Sequence, residues 1–451
     1  MKKKILLLSH SAAVTGGAEQ CLLEYVDVLA SKGYKCKVIV PKKGDMTKVL
    51  SKRDIDWTVV GYGWATKPHR RVNPHRILAS TGNSLVRIFQ EVEKFRPNII
   101  ITNTSVIPWG LYAGKAFGIP TVMLAHEILS DKDPSLNMVP SDNEYMDIIN
   151  KNTDYIVYNS QFVKNEFAHV VKLPKTSKSI LYPLPPLDDE KITQFFKKNN
   201  ISKTLKIGVF GALSPRKNQL EVLYAAKELK DKGITNFTID LYGDKTANIP
   251  YTKMLRKFIS ENSLKSNVRI KGFATNVYEK MNEYNVVLSV ATYEPFGRTI
   301  IEGQLFGRVA IANNTGGGTE IIEDGKTGLI YELGNPAQLA EKIAWVIENK
   351  QKAISLGSNA KTVQLKKYIT DSRYDALIDS VEFFAESTIP VHLENTFEPM
   401  MALFQYNHQL NNKYKYVYRI FHNRLTYTVK HVIWRVLGFV KRIAKQILPI
   451  S

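Results

Sequence analysis

Short apolar segments rich in β-branched residues alternate with longer helical segments along most of the chain, and this alternation limits the possible folds most. Six candidate strands lie in the first half, at residues 4–8, 36–40, 56–60, 98–102, 120–125 and 154–158. Candidate helices lie between them, for example at 18–31 and 84–95. A second series begins at Leu205 and continues to about residue 350. Such alternation is typical of doubly wound α/β layers around a parallel sheet, so the sequence predicts two Rossmann-like domains.

Proline and charge indicate where one domain ends and the next begins. Residues 174–204 contain four prolines and a charged run, which predicts a linker. We therefore expect a first domain at 1–185, a second at 200–370 and a tail at 391–451. Open parallel sheets bind ligands outside the carboxyl ends of their strands, and two such sheets facing each other would share one cleft.

Two glutamates, Glu294 and Glu302, are separated by seven residues and follow an apolar strand candidate at 286–290. The strand would deliver Glu294 to a loop, where Gly297 lets a ligand approach the backbone. A helical pattern then runs over 298–306. Its N-terminus would suit a diphosphate, because the N–H groups there are unpaired and the helix dipole is positive. One carboxylate can then meet a sugar and the other a ribose.

This spacing resembles the Glu-x7-Glu motif of the retaining glycosyltransferases called family four, or group one. That family uses nucleotide-sugar donors and has the two-domain GT-B fold. A bare pair of glutamates at this spacing is usually a solvated helix face, but further segments match the family's signature in order. They are residues 211–219, 241–244, 307–312 and 316–329. The resemblance covers most of residues 1–385 and is strongest over 205–332.

The resemblance implies a role for individual residues. Glu294 would hold the sugar hydroxyls, Lys217 the phosphates and Glu302 the ribose, while the departing phosphate accepts the proton of the incoming hydroxyl. The expected donor- and phosphate-binding residues are Gly16, Gly17, Arg216, Phe296, Gly297, Arg298, Thr299, Ile300 and Glu302. The residues expected to flank the base are Gly272, Phe273, Gly316 and Gly317, and they do not distinguish uracil from guanine. In the family, a helix after the second domain crosses back to the first, and 371–386 is the candidate.

Ala212 departs from the family pattern, which has an arginine directly after the first glycine of this turn. Cleavage of the glycosidic bond places negative charge on the leaving phosphate, and donors preorganised there contribute several kcal/mol of transition-state stabilisation. Arg216 and Arg298 are the candidates to supply the missing charge. Arg216 is equally interpretable as a solvated side chain.

The first domain, which would bind the acceptor, carries weaker signals. Gly16 and Gly17 lie between a strand and a helix, where their N–H groups can face a phosphate or simply form a turn. His126 ends the strand candidate at 120–125, where the family often has a histidine near the donor sugar. We predict that His126 is catalytic and that Glu127 acts with it.

No metal or cofactor is expected, the UDP- or GDP-linked donor being a substrate. Residues 131–133 read Asp-Lys-Asp, a form by which another glycosyltransferase fold holds a divalent cation. This segment stands next to Pro134 in a polar loop without the required strand, so we interpret it as solvated.

Cysteine content and hydropathy indicate the compartment. Cys21 and Cys36 offer no disulfide framework and no metal-ligand spacing, which is typical of a reducing cytoplasm. Apolar residues follow the N-terminal lysines, but His10 and Ser11 interrupt the run too soon for a signal peptide. No apolar stretch approaches the roughly 20 residues of a spanning helix.

The formal net charge of +20 is concentrated in two windows. No acid lies between Asp56 and Glu91 or after Glu398, whereas the second window alone contains nine Lys or Arg. At helical spacing, 427–448 places Val and Ile on one side and basic residues on the other, the profile of a helix on anionic lipid. The alternative is a helix that packs on the protein itself. Nucleic acid is not expected, because no binding motif for it appears.

Together these features predict a cytoplasmic, metal-independent retaining glycosyltransferase, peripheral at the inner membrane face, that extends a lipid-linked surface glycan. A sugar-nucleotide epimerase or phosphorylase on the same fold is one alternative. A non-catalytic partner of a glycosyltransferase is another, because Ala212 removes an expected charge.

Overall fold

The computed structural model describes residues 3–65, 74–128, 142–169, 171–173, 178–183, 189–246, 248–274 and 276–384. Two parallel sheets with interleaved helices form two domains, which confirms the predicted fold class. The basic tail at 391–451, the Asp-Lys-Asp segment and most of the first basic window lie outside the described residues.

The first sheet has seven parallel strands in the order β3-β2-β1-β4-β5-β6-β7. They are β1 (Lys4–Ser9), β2 (Lys35–Val40), β3 (Asp56–Val59), β4 (Ile99–Asn103), β5 (Thr121–Ala125), β6 (Tyr155–Tyr158) and β7 (Lys178–Ile180). The helices are α1 (Gly17–Ser31), α2 (Asp45–Lys52), α3 (Pro74–Phe95), α4 (Trp109–Phe117), α5 (Asp142–Asn152) and α6 (Gln161–Ala168).

Both faces of this sheet are buried, which explains why its strands read as continuous apolar runs. In β1, Leu6 and Leu8 belong to one hydrophobic core, whereas Ile5 and Leu7 belong to the core on the opposite face. Alternate side chains of a strand point to opposite faces, so one short segment supports two layers of helices.

The second sheet has six parallel strands in the order β10-β9-β8-β11-β12-β13. They are β8 (Leu205–Phe210), β9 (Phe237–Tyr242), β10 (Val268–Gly272), β11 (Val286–Ser289), β12 (Val309–Asn313) and β13 (Leu329–Tyr331). After the linker helix α7 (Asp189–Phe195), the helices are α8 (Gln219–Asp231), α9 (Ile249–Glu261), α10 (Val277–Met281), α11 (Arg298–Leu305), α12 (Gly318–Ile321), α13 (Pro336–Glu348) and α14 (Lys350–Tyr368).

The linker segment and the C-terminal crossover both add to the first domain. The linker prediction was wrong at Lys178–Ile180, because β7 pairs in parallel with β6 at the edge of the first sheet. Helix α15 (Asp375–Glu382) follows the second domain and contacts β6 and β7. Its Leu377 and Val381 are fully buried in the core that also holds Ile5. The first domain is therefore completed by residues from the far end of the described chain.

Candidate functional site

The predicted site residues gather where the strand order of each sheet reverses. In the second sheet this reversal lies between β8 and β11, which pair from Val286 with Ile207 to Leu288 with Val209. The loops that follow these two strands are tied together, because the Thr292 N–H donates to the carbonyl of Arg216 over 3.0 Å. Such a reversal is where open α/β sheets bind ligands.

Lys217 and Glu294 meet between these loops. The Lys217 ammonium donates to Glu294 Oε2, and both side chains are about one-fifth exposed or less. Burial acts to raise the pKa of Glu294, but the charges of Lys217 and Arg216 outweigh it and hold that pKa below its usual value. Thr299 lines a small cavity together with this pair. The site thus presents a cation, an ionised carboxylate and a hydroxyl to one space.

Arg216 lies beside the pair, and Ala212 opens the same turn. The Arg216 guanidinium donates to the carbonyl of Tyr293 over 3.3 Å, so it is anchored on the Glu294 loop. Ala212 is exposed, and its carbonyl accepts from the Gln219 amide over 2.9 Å. A second cation therefore lies close to the phosphate position inferred from Lys217.

Gly316 and Gly317 pack directly against the backbone of the Glu294 loop. The Gly317 N–H donates to the Glu294 carbonyl over 2.8 Å. A Cβ atom at Gly316 would lie 2.3 Å from that carbonyl oxygen, and one at Gly317 would lie 2.4 Å from the Phe296 carbonyl oxygen. Only glycine permits this approach, which fixes the loop that carries Glu294.

Helix α11 begins directly after Gly297, whose φ of 106° favours glycine. The side chains of Phe296 and Ile300 are 2% and 1% exposed and belong to a hydrophobic core. Phe296 stacks on Tyr182 with ring centroids 5.4 Å apart. Only the backbone of these two predicted donor-binding residues is therefore available to a ligand.

Arg298 lies between the two domains and contacts both. Its guanidinium lies 3.5 Å from Glu24 of α1 and 3.4 Å from Glu302, one turn along α11. It also donates to the Gly17 carbonyl over 3.4 Å, next to the predicted Gly16–Gly17 turn. The expectation that Arg298 faces the diphosphate thus has a competitor, because two buried carboxylates hold this guanidinium.

One guanidinium serves two carboxylates in this cluster, so its charge is not balanced. Burial raises the pKa of Glu24 to about 7, although the charges of Arg298 and Arg373 act against it. Burial likewise raises the pKa of Glu302 against the effect of Arg298. Glu24 Oε2 is buried without a hydrogen-bond partner. Glu24 was not predicted, since its partners lie far away in the sequence.

In the first domain, His126 follows β5 and contacts Asn103 at the end of β4. The Asn103 amide donates to the Ala18 carbonyl over 3.0 Å, so its oxygen faces His126 Nε2 at 2.9 Å. His126 Nε2 therefore carries the proton in this arrangement. Burial, followed by the charge of His10, lowers the pKa of His126 to about 3. His126 is thus a neutral hydrogen-bonding group at physiological pH.

The Gly16–Gly17 turn is shaped by Glu19 rather than by a ligand. A Cβ atom at Gly16 would lie 2.1 Å from Glu19 Oε2, and that carboxylate also lies 3.4 Å from His10 Nε2. Glu127, the expected companion of His126, instead accepts from the N–H and hydroxyl of Ser105 over 3.1 and 3.0 Å.

The residues predicted to flank the base lie at two places. Gly272 ends β10 with a φ of 98°, and the Phe273 side chain is 58% exposed beside it. Gly316 and Gly317 lie against the Glu294 loop, as described above. An exposed aromatic side chain after a strand offers a stacking surface.

A contact between the domains that the sequence did not reveal joins α6 to the motif loop. The Glu320 carboxylate accepts from the N–H groups of Gln161, over 2.9 Å, and Phe162 at the start of α6. The Ser160 hydroxyl donates to the Pro295 carbonyl over 2.6 Å. The Glu294 loop is thereby braced against the first domain.

Two surveys bear on metals and membranes. In the ranges that the structure describes, no three or more His, Cys, Asp or Glu side chains are grouped so that they could hold a metal ion. Within the same ranges, no helix has the length and apolar character needed to cross a membrane.

Two family models match the chain and together span more than half of it. The model described as "Glycosyltransferase Family 4" matches residues 15–183, and "Glycosyl transferases group 1" matches residues 190–363.

Curated relatives match over part of their length. Poly(ribitol-phosphate) alpha-N-acetylglucosaminyltransferase of Staphylococcus aureus strain COL is 28% identical over 40% of this chain and 37% of its own length. Putative glycosyltransferase EpsD of Bacillus subtilis strain 168 is 24% identical over 41% of this chain and 46% of its own. The chain thus spans less than half the length of both relatives.

Among solved structures, Anabaena HepE in complex with UDP-glucose superposes with a TM-score of 0.69 at 22% identity. The match covers 85% of this chain and all of that one. At this identity the likeness shows the fold, which is GT-B.

Proposed function

The chain belongs to the group 1 glycosyltransferases of the GT-B fold, and from this premise we propose that it is a retaining enzyme that moves a sugar from a nucleotide-sugar donor to a surface glycan. The observation that carries the proposal is the Lys217–Glu294 pair, which lines a cavity at the reversal of the second sheet. A cation for the phosphates and a carboxylate for the sugar hydroxyls are the two groups that such a donor requires.

In the proposed reaction, the bond from the sugar C1 to the β-phosphate oxygen breaks and a bond from C1 to the acceptor oxygen forms on the same face. The departing diphosphate takes the electron pair of the broken bond and then the proton of the acceptor hydroxyl. Lys217 and Arg216, with the N-terminus of α11, would stabilise the negative charge that develops on the phosphate. No metal is required by this scheme, since these groups are already cationic.

His126 would serve this reaction as a neutral hydrogen-bonding group to the sugar. Its low pKa excludes a role as a proton-donating imidazolium near neutral pH. Glu302 would bind the ribose after exchanging part of its contact with Arg298 for a ribose hydroxyl.

The comparisons guide the choice of substrates. The Anabaena neighbour was solved with UDP-glucose, so UDP-linked sugars are the first donors to test. The Staphylococcus aureus relative is named for a poly(ribitol-phosphate) acceptor, which supports a surface polymer as the acceptor class. We place that acceptor on a lipid carrier at the inner membrane face, where the basic tail predicted at 427–448 would hold the enzyme.

Thermal shift against a panel of UDP- and GDP-linked sugars tests donor binding, because a ligand at 100 times its Kd adds about 2.7 kcal/mol to stability. EDTA should leave both the shift and the turnover unchanged. Glu294→Ala should mainly lower kcat, whereas Glu302→Ala should mainly weaken donor binding. Full activity in both variants, or strict dependence on Mg²⁺ or Mn²⁺, contradicts the proposal.

Ala212 and the engagement of Arg298 by two carboxylates favour one competing function, a non-catalytic partner of a glycosyltransferase. Such a protein would bind a donor without consuming it. Release of nucleoside diphosphate in the presence of a membrane extract that supplies acceptor distinguishes the two functions.

A further inference from the structure

A cavity of about 200 Å³ lies outside the catalytic cleft, where the chain passes between the domains. Three segments line it: the stretch after β7, the end of α14 and the turn that leads to α15. The side chains that matter are Tyr182, Lys367, Tyr368, Thr370, Ser372 and Arg373. Residues from both domains and from the crossover thus meet around one space.

Two cations border this cavity. The Lys367 ammonium lies 4.8 Å from the ring centroid of Tyr368 and 5.6 Å from that of Tyr182. The Arg373 guanidinium lies 4.9 Å from the ring centroid of Tyr374. Aromatic rings hold both cations in place without neutralising them. Among the described side chains that line the cavity, none carries a carboxylate.

Hydroxyl groups complete the lining. Thr370 and Ser372 place their hydroxyl oxygens 3.2 Å apart. Tyr368 is only 2% exposed, and its hydroxyl is buried without a hydrogen-bond partner. A buried polar group left unpaired costs about 1–3 kcal/mol, so a ligand oxygen that accepts from Tyr368 would recover that energy.

We infer that this cavity binds a phosphoryl group. Two cations and several hydroxyl donors around one space are the chemistry that recognises a phosphate oxyanion. The cavity is smaller than the roughly 300–1,000 Å³ of typical pockets for drug-sized ligands. It therefore suits a phosphate with a small substituent rather than a whole nucleotide sugar.

The position of the cavity gives this site a consequence for the enzyme. The bound phosphate would join the second domain, through Lys367, to the crossover turn, through Arg373. The charge of Arg373 also acts on Glu24 in the cluster that links α1 to α11. Occupancy would therefore favour one arrangement of the domains, and the site does not depend on the donor reaction proposed above.

Isothermal titration with pyrophosphate tests the site, using Lys217→Ala protein so that the cleft lysine does not contribute. We expect Lys367→Gln and Arg373→Gln each to weaken binding about tenfold or more. Tyr368→Phe, which removes one oxygen and keeps the ring, should weaken it about threefold to tenfold. Lys366→Gln is the matched control, because this exposed neighbour does not line the cavity.

The phosphate could belong to a soluble compound or to a lipid headgroup, so the same variants are also tested by flotation with vesicles of phosphatidylglycerol and of phosphatidylcholine. Pyrophosphate binding that requires Arg373 identifies a soluble compound. Binding only to phosphatidylglycerol vesicles that requires Arg373 identifies a headgroup. Equal affinity of the Arg373→Gln and Lys366→Gln proteins in both assays overturns the inference. UDP-sugar binding measured on the Arg373→Gln protein shows separately whether the cleft is intact.

Discussion

At the scale of single residues, the site depends on charges that are set by their neighbours. Glu294 is kept ionised by Lys217 and Arg216 despite its burial, whereas His126 is kept neutral by its own burial. The sequence identified these three positions but not their protonation states. A pKa depends on which groups approach in space, and neither a strand pattern nor a motif contains that information.

Lys217→Ala should lower kcat by roughly two to three orders of magnitude, because a preorganised cation at the leaving phosphate is lost. The same change should raise the pKa of Glu294, since Lys217 is the largest of the charges that lower it. The acid limb of the pH–rate profile should therefore move to higher pH, because Glu294 would protonate sooner as pH falls. Steady-state kinetics from pH 4 to 8 measure both effects. An acid limb at the wild-type position would remove the link between the two residues.

At the scale of structural elements, two pairs of helices hold the domains together. Helices α1 and α11 meet through the Glu24–Arg298–Glu302 cluster, and α6 meets α12 through Glu320. Strand positions were predicted to within one or two residues because both faces of each sheet are buried. These contacts were not predicted, because Glu24 and Arg298 are partners only through the fold.

Stability should depend on pH through Glu24. Its pKa is about 7 in the folded protein against an ordinary value of 4.5, so the folded state binds the proton more tightly. The stabilisation is complete below about pH 4.5 and is lost as pH rises through 7. Glu24→Gln should therefore remove a decline on the order of 2 kcal/mol between pH 5 and pH 8. Urea unfolding at both values measures this, with the exposed Glu261→Gln as control, and parallel losses in all three proteins would refute it.

The Glu320 carboxylate should stabilise the start of α6 across the domain boundary. It satisfies two N–H groups that the helix itself leaves unpaired. Glu320→Ala should cost about 0.5–2 kcal/mol, as loss of an N-terminal cap does. Glu323→Ala is the control, because its ion pair with Lys326 is exposed and contributes little. Equal melting temperatures for the two variants would show that the cap is energetically silent.

At the scale of the whole molecule, two covalent connections cross between the domains. The fold class followed from the sequence because alternation of strands and helices leaves few other architectures. Strand β7 did not, since its three residues Lys-Ser-Ile are too short and too polar for a periodicity to show. The side-chain direction of Arg298 did not either, because its partners in α1 lie more than 270 residues away.

Removal of the tail should separate membrane binding from catalysis. Each basic residue near an anionic bilayer contributes about 1 kcal/mol, and the Val and Ile side of 427–448 adds apolar burial. Truncation after residue 395 should shift the protein from the membrane to the soluble fraction and cut activity on a lipid-linked acceptor, while donor affinity is kept. High salt should mimic part of this effect by screening charge. Unfolding or lost donor affinity in the truncated protein would instead identify the tail as a packed element.

The docking of α15 on the first sheet affects how the protein is made. On the ribosome, the strands of the first domain are synthesised early, but the apolar face that receives Leu377 and Val381 has no cover until residue 384 has emerged. The second domain, whose strands and helices lie within 205–368, can close its own core before then. The half of the chain that is translated first is therefore the last to finish folding. Nascent chains stalled before α15 should accordingly recruit chaperones to the first domain and leave the second protease-resistant.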